Sequence, residues 1–283
     1  MSGMRSRYLL GLSTCGFHKL HYTEWGSADN PRVLVCVHGL TRNGRDFDVL
    51  ASALQEEYRV ACPDLPGRGR SDWLNDPFDY GYPVYLADIA VLIGRLDVEC
   101  IDWMGTSLGG LIGMLLAAQP QTPIRRMIVN DIGPQIEEAS RKRIQSYVGS
   151  EPTFDDLPAL ERYVRTVYAP FGSLSDEQWR HLAEHSARRL PGGNYGLHHD
   201  PGIAHAFQNS VASFDLWSVW DRIRRPVRVL RGADSDLLSR ETAVAMQVRG
   251  PKADLVEFAG VGHAPSLMNA EQINAVKEWL LHP

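Results

Sequence analysis

Residues 100–119 read Cys100-Ile101-Asp102-Trp103-Met104-Gly105-Thr106-Ser107-Leu108-Gly109-Gly110-Leu111-Ile112-Gly113-Met114-Leu115-Leu116-Ala117-Ala118-Gln119. The first five form a short run suited to a buried strand. From Leu108 to Gln119, small and apolar residues continue for the length of a helix. Between them, Gly105-Thr106-Ser107-Leu108-Gly109 fits G-x-S-x-G, a pattern that requires a strand, a sharp turn and a helix in that order. Gly105 and Gly109 lack Cβ atoms, so strand and helix can approach closely around a turn that strains its central residue. Ser107 Oγ then stands clear of the sheet above a helix N-terminus. The expectation is a nucleophilic serine at 107.

Upstream, residues 16–25 and 32–38 read as strands. The second, Arg32-Val33-Leu34-Val35-Cys36-Val37-His38, is a near-continuous apolar run of the kind buried on both faces of a sheet. Phe47, Leu50, Ala51 and Leu54 fall at helical spacing within 47–57. A strand over 58–62, a loop rich in Gly and Pro, and a helix over 84–96 lead to the serine turn. Downstream, 124–129 is another apolar strand, ending at Asn130-Asp131-Ile132-Gly133-Pro134. Strands at 226–232 and 255–258 and helices at 242–248 and 271–281 complete the chain. This alternation predicts an α/β fold with a mostly parallel, doubly wound sheet. Residues 135–213 break the alternation: they are more polar, contain Pro152, Pro158, Pro170, Pro191 and Pro201, and show helical periodicity. The predicted organisation is a core of residues 1–134 and 214–283 with a helical insertion over 135–213.

Composition bounds the function. With 283 residues and 44% hydrophobic content, the chain can build one large domain with a full core. The balance of 29 basic against 34 acidic residues, a net charge of -5, gives no reason to expect nucleic acid as a partner. No stretch approaches the ~20 apolar residues of a membrane span. Tyr8–Leu12 is too short for a signal-peptide core of ~7–15 apolar residues, and a first β-strand is expected there rather than a lipoprotein leader ending at Cys15. Cys15, Cys36, Cys62 and Cys100 have no paired metal spacing; the last three fall in apparent core strands. They suit a reducing cytoplasm.

A serine hydroxyl needs a base. His263, in Gly260-Val261-Gly262-His263-Ala264-Pro265, follows the last predicted strand and is the histidine placed at the carboxyl end of the sheet. The base in turn needs a carboxylate to fix its tautomer. Gly232-Ala233-Asp234-Ser235-Asp236-Leu237-Leu238 follows a late strand and offers Asp234 and Asp236, while Asp131 ends an earlier one. Asp236 is favoured because Leu237 and Leu238 would anchor its loop; Asp234 and Asp131 stay open. The oxyanion of an acyl-transfer reaction needs two prepositioned donors. The backbone N–H groups of Leu108 and of Leu40, in His38-Gly39-Leu40-Thr41, are the candidates, with His38 itself structural.

Together, His38-Gly39, Asp64-Leu65-Pro66-Gly67-Arg68-Gly69-Arg70-Ser71, the serine turn and Gly262-His263 resemble the α/β-hydrolase superfamily over essentially the whole chain. The resemblance implies an eight-stranded, mostly parallel sheet with helices on both faces, and a helical cap over 135–213. It also implies a structural role beside the site for the Asp64–Ser71 loop. Arg231–Ser239 and Asn130–Pro134 resemble a branch of bacterial carboxylesterases that includes enzymes acting on short polyester or hydroxyacid oligomers. In the family the acid usually stands three residues after the glycine, where this chain has Ser235.

The implied activity is ester hydrolysis through an acyl-enzyme, with Ser107, His263 and Asp236 catalytic, a small-molecule ester as substrate, and no cofactor, metal, nucleic acid or membrane partner. C–C bond hydrolysis of the meta-cleavage type, lactone hydrolysis, perhydrolysis and binding alone are the alternatives on the same fold.

Other features invite blander readings. His181-Leu182-Ala183-Glu184-His185 matches H-x-x-E-H, yet no third ligand is evident in the sequence, so a solvated helix face is expected. Arg42 and Arg45 read as surface charges or as contacts to a substrate carboxylate. Phe214, Leu216, Trp217 and Trp220 read as the place where the insertion rejoins the core.

Overall fold

The computed structural model describes residues 3–205 and 215–281. In chain order its strands are β1 (Arg5–Ser13), β2 (Gly16–Trp25), β3 (Val33–Val37), β4 (Arg59–Pro63), β5 (Ile101–Thr106), β6 (Ile124–Asn130), β7 (Thr153–Phe154), β8 (Ala187–Arg189), β9 (Tyr195–Leu197), β10 (Val227–Gly232) and β11 (Asp254–Phe258). Its α-helices are α1 (Asp48–Leu54), α2 (Tyr82–Leu96), α3 (Leu108–Ala117), α4 (Glu138–Val148), α5 (Leu157–Val167), α6 (Asp176–Ser186), α7 (Trp217–Trp220), α8 (Arg240–Val248) and α9 (Ala270–Leu281).

Eight strands form one sheet in the order β1-β2-β4-β3-β5-β6-β10-β11. The β1/β2 and β2/β4 pairs are antiparallel and the rest parallel. Strand alternation divides the core between the two faces. Val33, Val35 and Val37 of β3 pack on one side with Trp103, Met127 and Val129 and with α2 and α3. Leu34 and Cys36 face the other side, against Leu50 and Leu54 of α1 and Val276 and Leu280 of α9. A strand buried on both faces has no polar side to show, which is why β3 reads as a continuous apolar run. Cys100 departs from expectation: it is exposed, one residue ahead of β5.

Between β6 and β10, helices α4–α6 accompany a small antiparallel sheet in the order β7-β9-β8. Its strands are two or three residues long, too short to leave an alternating pattern in a segment that reads as helical. The two ends of the segment meet: Gln135 bridges Asp215, and Leu216 N–H donates to Pro134 O at 2.7 Å. Trp220 is buried in the core beside this junction, and Trp217 Nε1 donates to Gln135 Oε1. Phe214 lies outside the described residues.

Candidate active site

Ser107 joins β5 to α3 with φ +52° and ψ −114°, a conformation that costs a side-chain-bearing residue of order 1–3 kcal/mol. The close approach forcing it is measurable at the flanking glycines. A Cβ on Gly105 would lie 2.3 Å from the Gly109 carbonyl carbon, and one on Gly109 would lie 2.0 Å from Val37 O. Ser107 N–H donates to Asn130 O at 3.0 Å, and the Asn130 side-chain amide donates to Thr106 Oγ1 (3.1 Å) and to Pro265 O (2.8 Å). Asn130 thus ties the serine turn to the loop carrying His263. Sequence reasoning gave it no role, because nothing local distinguishes an asparagine at a strand end from any other.

His263 Nδ1 lies 2.8 Å from Asp131 Oδ2. Asp131 is fully buried and held at φ +56° just past β6. Its other oxygen accepts Gly232 N–H at 2.9 Å, and Oδ2 also accepts the Ser235 hydroxyl at 2.5 Å. A carboxylate accepts, so the imidazole proton sits on Nδ1 and Nε2 keeps a lone pair.

Asp236, favoured on sequence, does not reach His263. Its carboxylate is 50% exposed and receives Arg143 of α4 at 2.6 and 2.9 Å, while its carbonyl accepts the Ser140 hydroxyl. Leu237 and Leu238 do anchor the loop, as expected, but in an orientation that turns Ser235 inward. The residues on either side of Ser235 face out, and Asp234 is exposed as well. The candidate acid is therefore Asp131.

Ser107 and His263 line one cleft of about 570 Å³, part of it open to solvent. One wall is Gly39, Leu40 and Thr41; the other includes Tyr147 of α4, Tyr168 and Phe171. Burial pushes the Tyr147 phenol up to about 12, so it is neutral at ordinary pH. Leu40 sits in a turn closed by Arg42 N–H to Gly39 O. Leu108 is the first residue of α3, where an N–H has no intrahelical acceptor. Both oxyanion candidates thus flank the serine turn.

The loop beneath is braced as the resemblance implies. Asp64 accepts Gly44 N–H and Arg70 N–H and contacts His21, and Arg68 Nε donates to Leu40 O at 2.8 Å. His38 Nε2 accepts Leu65 N–H at 2.9 Å, which puts its proton on Nδ1, donating to Gly39 O at 2.7 Å.

Burial pushes the His38 imidazole down to about 4, and that of His199 likewise to about 4. Unfolded imidazoles titrate near 6.5, so between these values the unfolded chain binds protons the folded one does not. Their contribution is present in full above about pH 6.5 and is lost as pH falls toward 4. Urea unfolding is expected to give a free energy lower by about 2 kcal/mol or more at pH 5 than at pH 7. Equal stability at the two pH values would contradict the neutral, buried assignment.

Arg42 is a buried residue: its guanidinium holds Asp46 at 2.6 and 2.8 Å and Ser186 Oγ at 2.7 Å, and lies over the Tyr168 ring. Arg45 chelates Asp48. Neither is a loose surface charge. The His181 and His185 pair does gain a third neighbour, Asp48, from a distant part of the chain. Arg45 already grips that carboxylate, and His181 Nε2 donates to Arg45 O at 2.9 Å, so two of the three donor groups have partners.

The sequence profile described as "Alpha/beta hydrolase family" matches residues 34–276. The chain belongs to the α/β hydrolase family. A curated relative of this hydrolase, the 3-hydroxybutyrate-oligomer hydrolase of Cupriavidus necator, is 46% identical over 271 residues, covering 93% of this chain and 92% of the relative. A solved structure from Rickettsia typhi superposes with a TM-score of 0.92 at 33% identity, covering 99% of each chain. An α/β hydrolase from Novosphingobium aromaticivorans gives 0.87 at 35% identity, again covering 99% of each. Among the described residues, no helix is long and apolar enough to cross a membrane.

Proposed function

We propose that this hydrolase cleaves carboxylic esters, with short 3-hydroxyacid oligomers as its substrate class, through an acyl-enzyme on Ser107. The observation carrying this reading is His263 seated on buried Asp131 in the cleft that Ser107 lines. The 46% identical oligomer hydrolase supports the substrate class. His263 Nε2 takes the Ser107 proton as Oγ attacks the ester carbonyl, and Asp131 stabilises the imidazolium. The amides of Leu40 and Leu108 hold the oxyanion. His263 protonates the departing hydroxyacid alkoxide, then activates the water that frees the acyl group. Ile144, Tyr147, Val167 and Phe171 offer apolar surface to a methyl-bearing acyl chain. Within the insertion, the described residues 135–205 act as a lid over the cleft. The chemistry needs no cofactor, and the unpaired cysteines suit a reducing cytoplasm.

Purified enzyme is expected to convert 3-hydroxybutyrate dimer and trimer to monomer. An organophosphonate should stop the reaction and add its mass to the peptide containing Ser107. Labelling without oligomer cleavage would remove the substrate class and leave the serine. Absence of both labelling and cleavage would remove the hydrolase mechanism itself.

A further inference from the structure

We propose that Ser235 is a positioning residue of the catalytic apparatus, its hydroxyl proton directing the Asp131 carboxylate onto His263. This rests on Asp131 being the acid of the proposed reaction. A serine hydroxyl carries one proton and two lone pairs. Leu237 N–H and Leu238 N–H reach Ser235 Oγ at 3.2 and 3.1 Å. Backbone amides only donate, so these two contacts occupy the acceptor side of the oxygen. The one proton is left for Asp131 Oδ2, 2.5 Å away, the short spacing of a hydroxyl on an anionic oxygen.

Two anchors hold the carboxylate as a plane where one would leave it a pivot. Gly232 N–H fixes Oδ1. Without Ser235, the carboxylate could turn about that contact and swing Oδ2 off the imidazole. With it, Oδ2 is pinned at the point where His263 Nδ1 lies 2.8 Å away. Ser235 is itself 8% exposed, so water cannot readily stand in for its hydroxyl. Ser235 N–H donates to Gly232 O at 2.9 Å, so the loop closes back on the strand that supplies the first anchor.

The test is steady-state hydrolysis of one neutral activated ester by Ser235→Ala and Ser235→Cys, each also made on the Asp131→Asn background. Urea unfolding confirms that every variant is folded. Cysteine keeps a side chain of the same shape, with a larger sulfur in place of the oxygen, and gives up most of the donor strength. Both single variants are expected to lose about tenfold in kcat, with KM changed less than about twofold. On the Asp131→Asn background, Ser235→Ala should cost less than about twofold, because the group it acts through is gone. A wild-type kcat in Ser235→Ala or Ser235→Cys, or an equal loss on both backgrounds, would overturn the proposal. Full activity in Asp131→Asn alone would overturn the acid assignment first, and this role with it.

Discussion

Ser107→Ala is expected to lower kcat/KM for a small activated ester by ~10⁵-fold while leaving the protein folded. Alanine preserves the backbone turn and removes only Oγ, so β5, α3 and the Gly105–Gly109 approach are untouched. Residual turnover will come from binding and the oxyanion donors alone. The effect should fall on kcat, with KM for a non-covalently bound ester changing little. The check is a kinetic comparison with a urea unfolding curve for each protein. A variant that keeps even a hundredth of wild-type turnover would sink the nucleophile assignment.

The second large effect separates two carboxylates. Asp131→Asn is expected to lose on the order of 10⁴-fold in kcat, because an amide presents a donor where His263 Nδ1–H needs an acceptor and so favours the wrong tautomer. In that orientation the Gly232 N–H keeps only a weaker amide oxygen, and the Ser235 hydroxyl loses its acceptor. Asp236→Asn breaks only a half-exposed pair with Arg143, worth at most about 1 kcal/mol, so activity should stay within about fivefold of wild type. Kinetics of the two variants side by side decide the matter. The reverse pattern would return Asp236 to the role its place in the sequence suggested.

That reversal shows what a sequence of this kind carries. The sheet was legible because its inner parallel strands, β3 above all, bury both faces and so write themselves as apolar runs between helices of 3.6-residue period. The serine turn was legible because its glycines fall at fixed spacing around the serine, even though the contact that demands Gly109 comes from Val37 of β3. The carboxylate that meets His263 was not, because its identity depends on backbone direction at a strand end. Asp131 points inward through a φ of +56°, and Asp236 points outward because Leu237 and Leu238 fill the space beneath the loop. Neither fact has a local signature: all three carboxylates sit in polar stretches at the same edge of the sheet. The brief strands β7–β9 and the approach of Asp48 to His181 and His185 were hidden for a related reason. The strands are too short to repeat a pattern, and the approach joins residues far apart in the chain.

The ties between the insertion and the catalytic loops bear on how such an enzyme changes its taste. Ser140 and Arg143 of α4 grip the loop that bears Ser235, and Pro170 O accepts Gly262 N–H beside His263 at 2.7 Å. The wall that the insertion gives the cleft is thus fastened at two points to loops that carry the candidate acid's partner Ser235 and the candidate base His263. Pocket width and catalytic alignment are inherited as one trait. A lineage, or an engineer, that widens the cleft from the insertion side will move rate along with specificity. The Leu40–Thr41 wall offers no separate route, since Arg68 binds Leu40 O and Tyr168 meets the Thr41 hydroxyl at 3.1 Å. New substrates are therefore reached through paired substitutions, one to reshape the wall and one to re-seat the loop it pulls on.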